Sequence, residues 1–186
     1  MNTTIKGIFL TVTLLLLAGC GSGLNYHKAF MRDNVSLAHI ERVAVLPFEG
    51  AADAKRIREF TMTQILSSGL FDVVDKGRVD SIMQQEAIAP TAPLDSFTIR
   101  RLCQQLNVQA AIFGSVEQTT DSRGSAVFPE IVMTLRLIDG ESGLILWQAS
   151  GKKSGYSAAH RLIGVAPKDS FELTMELLRE LFATMQ

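Results

Sequence analysis

Short apolar runs, separated by polar segments that contain glycine and proline, recur along the chain from residue 42 onward. Several runs are apolar at nearly every position, as in strands that are buried on both faces. The segment Asp139-Gly140-Glu141-Ser142-Gly143 joins the last two runs and is typical of a β-hairpin connection. The pattern therefore predicts five strands, at residues 43–48, 71–75, 108–116, 130–138 and 144–149.

Between and after these strands, apolar residues recur at helical spacing. Gly69 lies where a left-handed helix C-cap is expected, and Asp95 or Ser96 begins a later helix. Asp169, with Glu172 three residues on, resembles a capping box. The closing helix places Phe171, Leu178, Phe182 and Met185 on one face. The predicted helices are residues 51–68, 78–88, 96–107 and the segment after Asp169.

The predicted order of elements is β-α-β-α-α-β-β-β-α. Helices that follow early strands favour right-handed crossovers and a parallel part of the sheet, and the late hairpin adds an antiparallel part. The sequence therefore predicts an α/β domain, in which a single mixed β-sheet of about five strands packs against helices.

Two polar segments, Glu117–Val127 and Gly151–Lys168, are predicted as loops. The second is long for a compact domain, and it contains Tyr156, His160 and Arg161. Long loops on a rigid scaffold often carry binding residues, so these three side chains form a candidate interaction loop. A solvated connection without a binding role is the equal alternative.

The N-terminus is typical of a bacterial secretory signal. Lys6 precedes the apolar run Ile8–Leu17, which is too short to span a bilayer as a mature helix. Leu17-Ala18-Gly19-Cys20 resembles a lipobox, and this resemblance implies cleavage between Gly19 and Cys20 and lipidation of Cys20. Two or three acyl chains together anchor a protein stably. An ordinary signal peptide with an incidental cysteine is the alternative.

The predicted organisation is therefore a signal peptide at 1–19, a lipidated flexible tether at 20–37 and a folded domain at 38–186. Gly21-Ser22-Gly23 favours flexibility in the tether. Gly21 and Ser22, in place of an aspartate after Cys20, make the chain similar to enteric lipoproteins of the outer membrane. This similarity implies an outer-membrane location that faces the periplasm.

The composition of the chain argues against several classes of function. The formal net charge of −1 provides no basic surface for nucleic acid, and no second apolar stretch has the length of a membrane helix. The three histidines, His27, His39 and His160, lack the spacing of metal ligands, and no nucleophile or phosphate-loop motif is present. We expect no catalytic residue, no metal and no cofactor besides the covalent lipid on Cys20.

Lipidation of Cys20 leaves Cys103 without a partner in the chain. Cys103 lies between Leu102 and Leu106 in a predicted helix, which favours a buried small hydrophobic residue over a redox or intermolecular role. Trp147 fits either the core or an interface, and the methionines are predicted to fill the core.

Four stretches in order resemble the CsgG-like lipoproteins, a family that includes the curli secretion channel and LpoB-like activators of penicillin-binding proteins. They are Arg42–Glu49, Phe71–Arg78, Ala110–Val116 and Leu135–Trp147. The resemblance covers residues 40–186 and implies an α/β domain with a role in protein–protein assembly at the outer membrane.

The preferred hypothesis is a non-enzymatic adaptor or activator that binds another envelope protein, such as a cell-wall synthase or a secretion or surface-organelle component. The alternative is a self-assembling subunit of a CsgG-type secretion channel, and therefore a homo-oligomer. Membrane-spanning strands need about 9–11 residues with alternating apolar character. Residues 117–127 are too short and polar for two such strands, and residues 151–168 lack the alternation, which favours the adaptor.

Overall fold

The computed structural model describes residues 26–33, 35–90, 92–124, 126–157 and 166–185, and these contain one seven-stranded mixed sheet. The strands lie in the order β1-β7-β6-β5-β2-β4, with β3 beside β5. β2 runs parallel to β4 and β5, and β3 runs parallel to β5, whereas β5, β6, β7 and β1 are antiparallel neighbours. The strands are β1 Tyr26–Met31, β2 Arg42–Val45, β3 Glu49–Gly50, β4 Asp72–Val73, β5 Ala110–Arg123, β6 Ala126–Asp139 and β7 Ile145–Ser154.

The helices are α1 Ala54–Ser68, α2 Lys76–Gln85, α3 Ser96–Leu106 and α4 Ser170–Ala183, with a short 3₁₀ turn at Leu37–His39. Their predicted end signals are confirmed. Gly69 ends α1 in the left-handed conformation, Asp95 caps α3 by accepting a hydrogen bond from the Thr98 amide, and Asp169 and Glu172 form a capping box. The predicted α/β class with one mixed sheet is confirmed, with seven strands rather than about five.

Helices pack on both faces of the sheet. α1 and α4 enclose the larger core with β5, β6 and β7, and α2 and α3 enclose a smaller core with β2 and the start of β5. Trp147 is completely buried in the larger core, where its ring stacks on Phe182 with centroids 5.8 Å apart. Its indole N–H donates to the Thr184 hydroxyl, 2.9 Å away, so Trp147 is a core residue.

Residues 26–31 lie in the segment that the sequence predicts as a flexible tether, and they form β1 instead. The register with β7 runs from Tyr26–Lys152 to Met31–Trp147. Backbone pairing across more than a hundred residues stabilises this edge strand, and its first five side chains are exposed. Because both faces are largely solvated, the segment shows no apolar alternation that would identify it as a strand.

The predicted loop 117–127 is also wrong, because β5 continues to Arg123 and β6 begins at Ala126. This part of the hairpin projects past the end of β7, where Ser154 pairs with Glu130. The projecting strands are mostly polar, and most of their described side chains are exposed. Their stability comes from an unbroken ladder of backbone pairs that ends at Arg123 and Ala126.

The predicted loop 151–168 begins four residues too early, since β7 continues to Ser154. Lys153 is only 4% exposed and faces α4, where Glu176 and Glu180 pair with its ammonium. Because a lysine occupies this core-facing position, the sequence does not show the apolar–polar alternation that would have predicted a longer strand. Among the helices that the structure describes, none is long and apolar enough to cross a membrane.

Candidate interaction surface

One face of the sheet is only partly covered by helices. α2 and α3 pack over β2 and the start of β5, and they leave β1, β7 and the facing part of β6 open to solvent. Side chains on this surface, here called the open face, form three rows because the strand registers align every second residue. The rows are Tyr26, Lys152, Val132 and Glu117; Lys28, Ser150, Thr134 and Ser115; and Phe30, Gln148, Arg136 and Phe113.

The open face is rich in aromatic and cationic groups. Tyr26 is 57% exposed and Phe30 is 50% exposed, although both have large apolar side chains. A groove of about 470 Å³ runs between them and Val132, with Lys28 and Lys152 among its walls. Protein interfaces are enriched in aromatic residues and arginine, and exposed apolar surface framed by polar groups is typical of a docking site.

Tyr26 and Lys28 form a pair along the outer strand. The Lys28 ammonium lies 5.6 Å from the centroid of the Tyr26 ring, within the range of a cation–π interaction. Hydrogen bonding to the Tyr26 side chain, with their charge interaction second, raises the pKa of Lys28 above its ordinary value. The ammonium therefore stays charged at any physiological pH.

Polar pairs between neighbouring strands orient the rest of the surface. The hydroxyls of Thr134 and Ser150 are hydrogen-bonded at 2.8 Å, and the Lys152 ammonium lies 2.8 Å from the Glu130 carboxylate. The Arg136 guanidinium lies 6.0 Å from the centroid of the Phe113 ring. These contacts hold the side chains before a partner arrives, which lowers the entropy cost of binding.

A second concave region, of about 520 Å³, lies at the other end of the sheet, and His39, Cys103 and Asp139 are among its lining residues. His39 Nε2 is 3.7 Å from Asp139 Oδ1. Burial acts to raise the pKa of Asp139, but hydrogen bonds from Ser142 and His39 lower it overall. Burial, followed by the charge of Asp139, raises the pKa of the Cys103 thiol to about 12, so this cleft holds a thiol and not a reactive thiolate.

Cys103 is 2% exposed, and this confirms the predicted buried hydrophobic role. No group of three or more metal-ligating side chains occurs within the described ranges. Of the predicted interaction loop, Tyr156 is half-buried and its ring packs edge-on against Phe128, with centroids 5.2 Å apart. His160 and Arg161 lie outside the described residues, as do Gly19 and Cys20.

The open face was not predicted from the sequence. Its residues come from three consecutive strands, β5, β6 and β7, and from β1, which lies far from them along the chain, and only the register brings them into rows. The one local signal is Tyr26-x-Lys28-x-Phe30, a period of two in which large side chains share one face.

Comparisons with known proteins identify the family. The family described as peptidoglycan-synthase activator LpoB matches residues 50–153, which is more than half of the chain. The chain belongs to the LpoB family. This supports the LpoB-like part of the resemblance, whereas the CsgG-like part and the secretion-channel alternative are not supported. The match to the LpoB family includes β5, β6 and nearly all of β7, and it leaves β1 and α4 outside.

Several solved structures share the fold of this LpoB-family chain at low sequence identity. The PelC dodecamer from Paraburkholderia phytofirmans has 16% identity and a TM-score of 0.59, covering 87% of this chain and 97% of that one. The lipoprotein GNA1162 from Neisseria meningitidis has 15% identity and a TM-score of 0.56, covering 77% and 97%. No curated protein sequence matches the chain significantly.

Proposed function

We propose that the chain is a periplasm-facing lipoprotein of the outer membrane that activates a peptidoglycan synthase of the penicillin-binding class. The lipid on Cys20 anchors it, and the domain acts by binding and not by catalysis. Membership of the LpoB family supports the activator role, and the lipobox supports the anchor. The proposed partners are therefore a membrane, through the lipid, and one envelope protein.

We propose that the synthase binds to the open face of the sheet, and the side chains of this face support the proposal. It presents two half-exposed aromatic rings, two lysines and an arginine on three adjacent strands. Aromatic and arginine side chains are the groups that contribute most to binding energy at protein interfaces. The surface also ends at an exposed edge strand, so a partner can approach it from the side as well as from above.

Binding to the purified synthase of the same organism tests this proposal. Phe30→Ser, Lys28→Glu and Arg136→Glu each remove one anchor of the open face. Leu66→Ser is the matched control, because Leu66 is 55% exposed and lies on α1, against the opposite side of the sheet. We expect each open-face change to weaken binding about tenfold or more, which corresponds to about 1.4 kcal/mol.

The control variant should bind like the wild type. Light scattering on all four variants checks that none of the changes acts through the oligomeric state of the chain. Open-face variants that bind with unchanged affinity would overturn the assignment of this surface. No binding by the wild type, in its lipidated form and with folded synthase, would overturn the proposed partner.

A further inference from the structure

The β5–β6 hairpin projects beyond the rest of the sheet at one end. Its projecting part, here called the hairpin tip, consists of residues 118–124 and 126–128. Tyr26, Lys152, Val132 and Glu117 lie side by side at the level where the tip begins. From Glu117 to Arg123 the ladder continues for six residues, or about 20 Å at ~3.4 Å for each residue.

The chain enters the domain at this same end. β1 is antiparallel to β7, which is antiparallel to β6, so β1 and β6 both run away from the hairpin tip. The first residue of β1, Tyr26, therefore lies at the end of the sheet from which the tip projects. Only five residues, 21–25, separate Cys20 from Tyr26, and six fully extended steps span at most about 20 Å.

The hairpin tip projects about as far as the extended chain between Cys20 and Tyr26 can reach. When the strands stand perpendicular to the membrane, this connection is therefore too short to separate the tip from the membrane surface. We infer that the hairpin tip contacts the lipid headgroup layer of the membrane that holds Cys20. This inference rests on the proposed lipidation of Cys20. It replaces the long flexible tether with a short connection that orients the domain.

The side chains of the tip suit the headgroup layer. Thr120 and Ser122 are exposed hydroxyl residues, and Val127 is the one large apolar residue of the described tip that is mostly exposed, at 61%. Hydroxyls can hydrogen-bond to phosphate and glycerol oxygens, whereas a hydrocarbon environment would leave them without partners. The tip therefore fits contact with headgroups and not insertion into the acyl chains.

The base of the tip is braced against bending away. Phe128 is 2% exposed and packs edge-on against Tyr156, and the Gly155 amide donates to the Pro129 carbonyl oxygen at 2.8 Å. Because these contacts make the base of the hairpin rigid, contact between the tip and the membrane sets the orientation of the whole sheet. The open face then begins about 20 Å from the headgroups, so the synthase must present its docking surface close to this membrane.

Fluorescence quenching in vesicles tests the inference with the full-length lipidated protein. Val127→Cys places a label at the tip, and Leu144→Cys places one at the opposite end of β6, about 40 Å away along the strands. Both native residues are about half exposed or more. The introduced thiol is labelled selectively, because Cys20 carries lipid and Cys103 is buried with a pKa raised to about 12. An environment-sensitive fluorophore is attached, and phosphatidylethanolamine–phosphatidylglycerol vesicles carry a headgroup nitroxide.

We expect quenching at position 127 to be at least threefold stronger than at position 144. Equal quenching in protein that floats with the vesicles would overturn the orientation alone. If the protein does not float with the vesicles, the proposed lipid anchor and the orientation that depends on it would both be overturned. The proposal that the domain binds the synthase would not be affected. Inserting twenty Gly/Ser residues after Gly23 should reduce quenching at position 127, and unchanged quenching would overturn the role of tether length.

Discussion

The Lys153 ammonium lies 2.5 Å from the Glu180 carboxylate and 3.0 Å from that of Glu176, and its side chain is almost fully buried between β7 and α4. Lys168 approaches the other oxygen of Glu176, also at 2.5 Å. A buried cation is tolerated in a protein interior only when it is paired and hydrogen-bonded. This pair of carboxylates therefore fixes the last helix against the strand that supports the open face.

Replacing Lys153 by methionine should lower the free energy of unfolding by about 1–3 kcal/mol, because two carboxylates lose their shared cation. Both carboxylates keep partial access to water, which keeps the loss below that of a completely buried pair. Lys152→Met is the matched control, since Lys152 directly precedes Lys153 on β7 and its own side chain is about half exposed, at 47%. The control should cost less than about 1 kcal/mol in urea unfolding. Equal losses would contradict the structural role of Lys153.

Stability should also fall in acid through Glu176. The hydrogen bond from Lys168 lowers the pKa of Glu176, burial opposes this effect, and Lys153 lowers the pKa further. A carboxyl whose pKa is lower in the folded state stabilises that state above its unfolded pKa, near 4.5, and this contribution is lost as pH falls through the folded pKa. Urea unfolding of Glu176→Gln between pH 7 and pH 3 should show a shallower pH dependence than the wild type. Identical profiles would mean that Glu176 is not the group responsible.

Cys103 should react very slowly in the folded protein. In a Cys20→Ala variant it is the only remaining cysteine. A thiol with a pKa raised to about 12 is almost wholly protonated at pH 8, so its thiolate fraction is roughly a thousandfold below that of a free cysteine. Labelling with Ellman's reagent should be correspondingly slow in buffer and rapid in urea. Fast labelling of the native protein would show that the packing of α3 on the sheet does not bury this thiol.

Gly114 should tolerate no larger side chain while Phe48 is present. A Cβ atom at Gly114 would lie 2.5 Å from Cζ of the buried Phe48 ring. Gly114→Ala should therefore destabilise the protein by about 1–3 kcal/mol through overpacking. In a double-mutant cycle with Phe48→Leu, the combined loss should be smaller than the sum by about 1 kcal/mol or more. Additive losses would mean that the ring is not the obstacle.

Local signals in the sequence predicted the central strands and the helix ends at Gly69, Asp95 and Asp169, whereas α2 spans Lys76–Gln85 instead of the predicted 78–88 and α1 begins at Ala54 instead of 51. Val43–Val45 and Ala110–Ile112 are apolar because both faces are covered, and Asp95, Asp169 and Gly69 act on the backbone within a few residues of themselves. These features need no knowledge of distant parts of the chain. Because these features are local, the sequence alone was enough to locate them.

The missed elements lack an apolar pattern of their own. The hairpin tip is a ladder of mostly polar residues that extends from a buried base, and β1 exists because β7, more than a hundred residues away, offers it a backbone edge. The candidate site was missed for the same reason, since the open face combines residues that are more than a hundred positions apart. Tyr156 could be singled out from its loop, but its packing against Phe128 needed the register of β6 and β7.

The most direct test of the central claim is the rate of glycan-strand polymerisation by the purified synthase of the same organism. We expect the wild-type protein and Leu66→Ser to raise this rate to the same extent. The combined variant Lys28→Glu, Phe30→Ser, Arg136→Glu should fail to raise it while keeping the wild-type circular dichroism spectrum and melting temperature. Full stimulation by the folded combined variant, or none by the wild type, would contradict the proposal that the open face activates a peptidoglycan synthase.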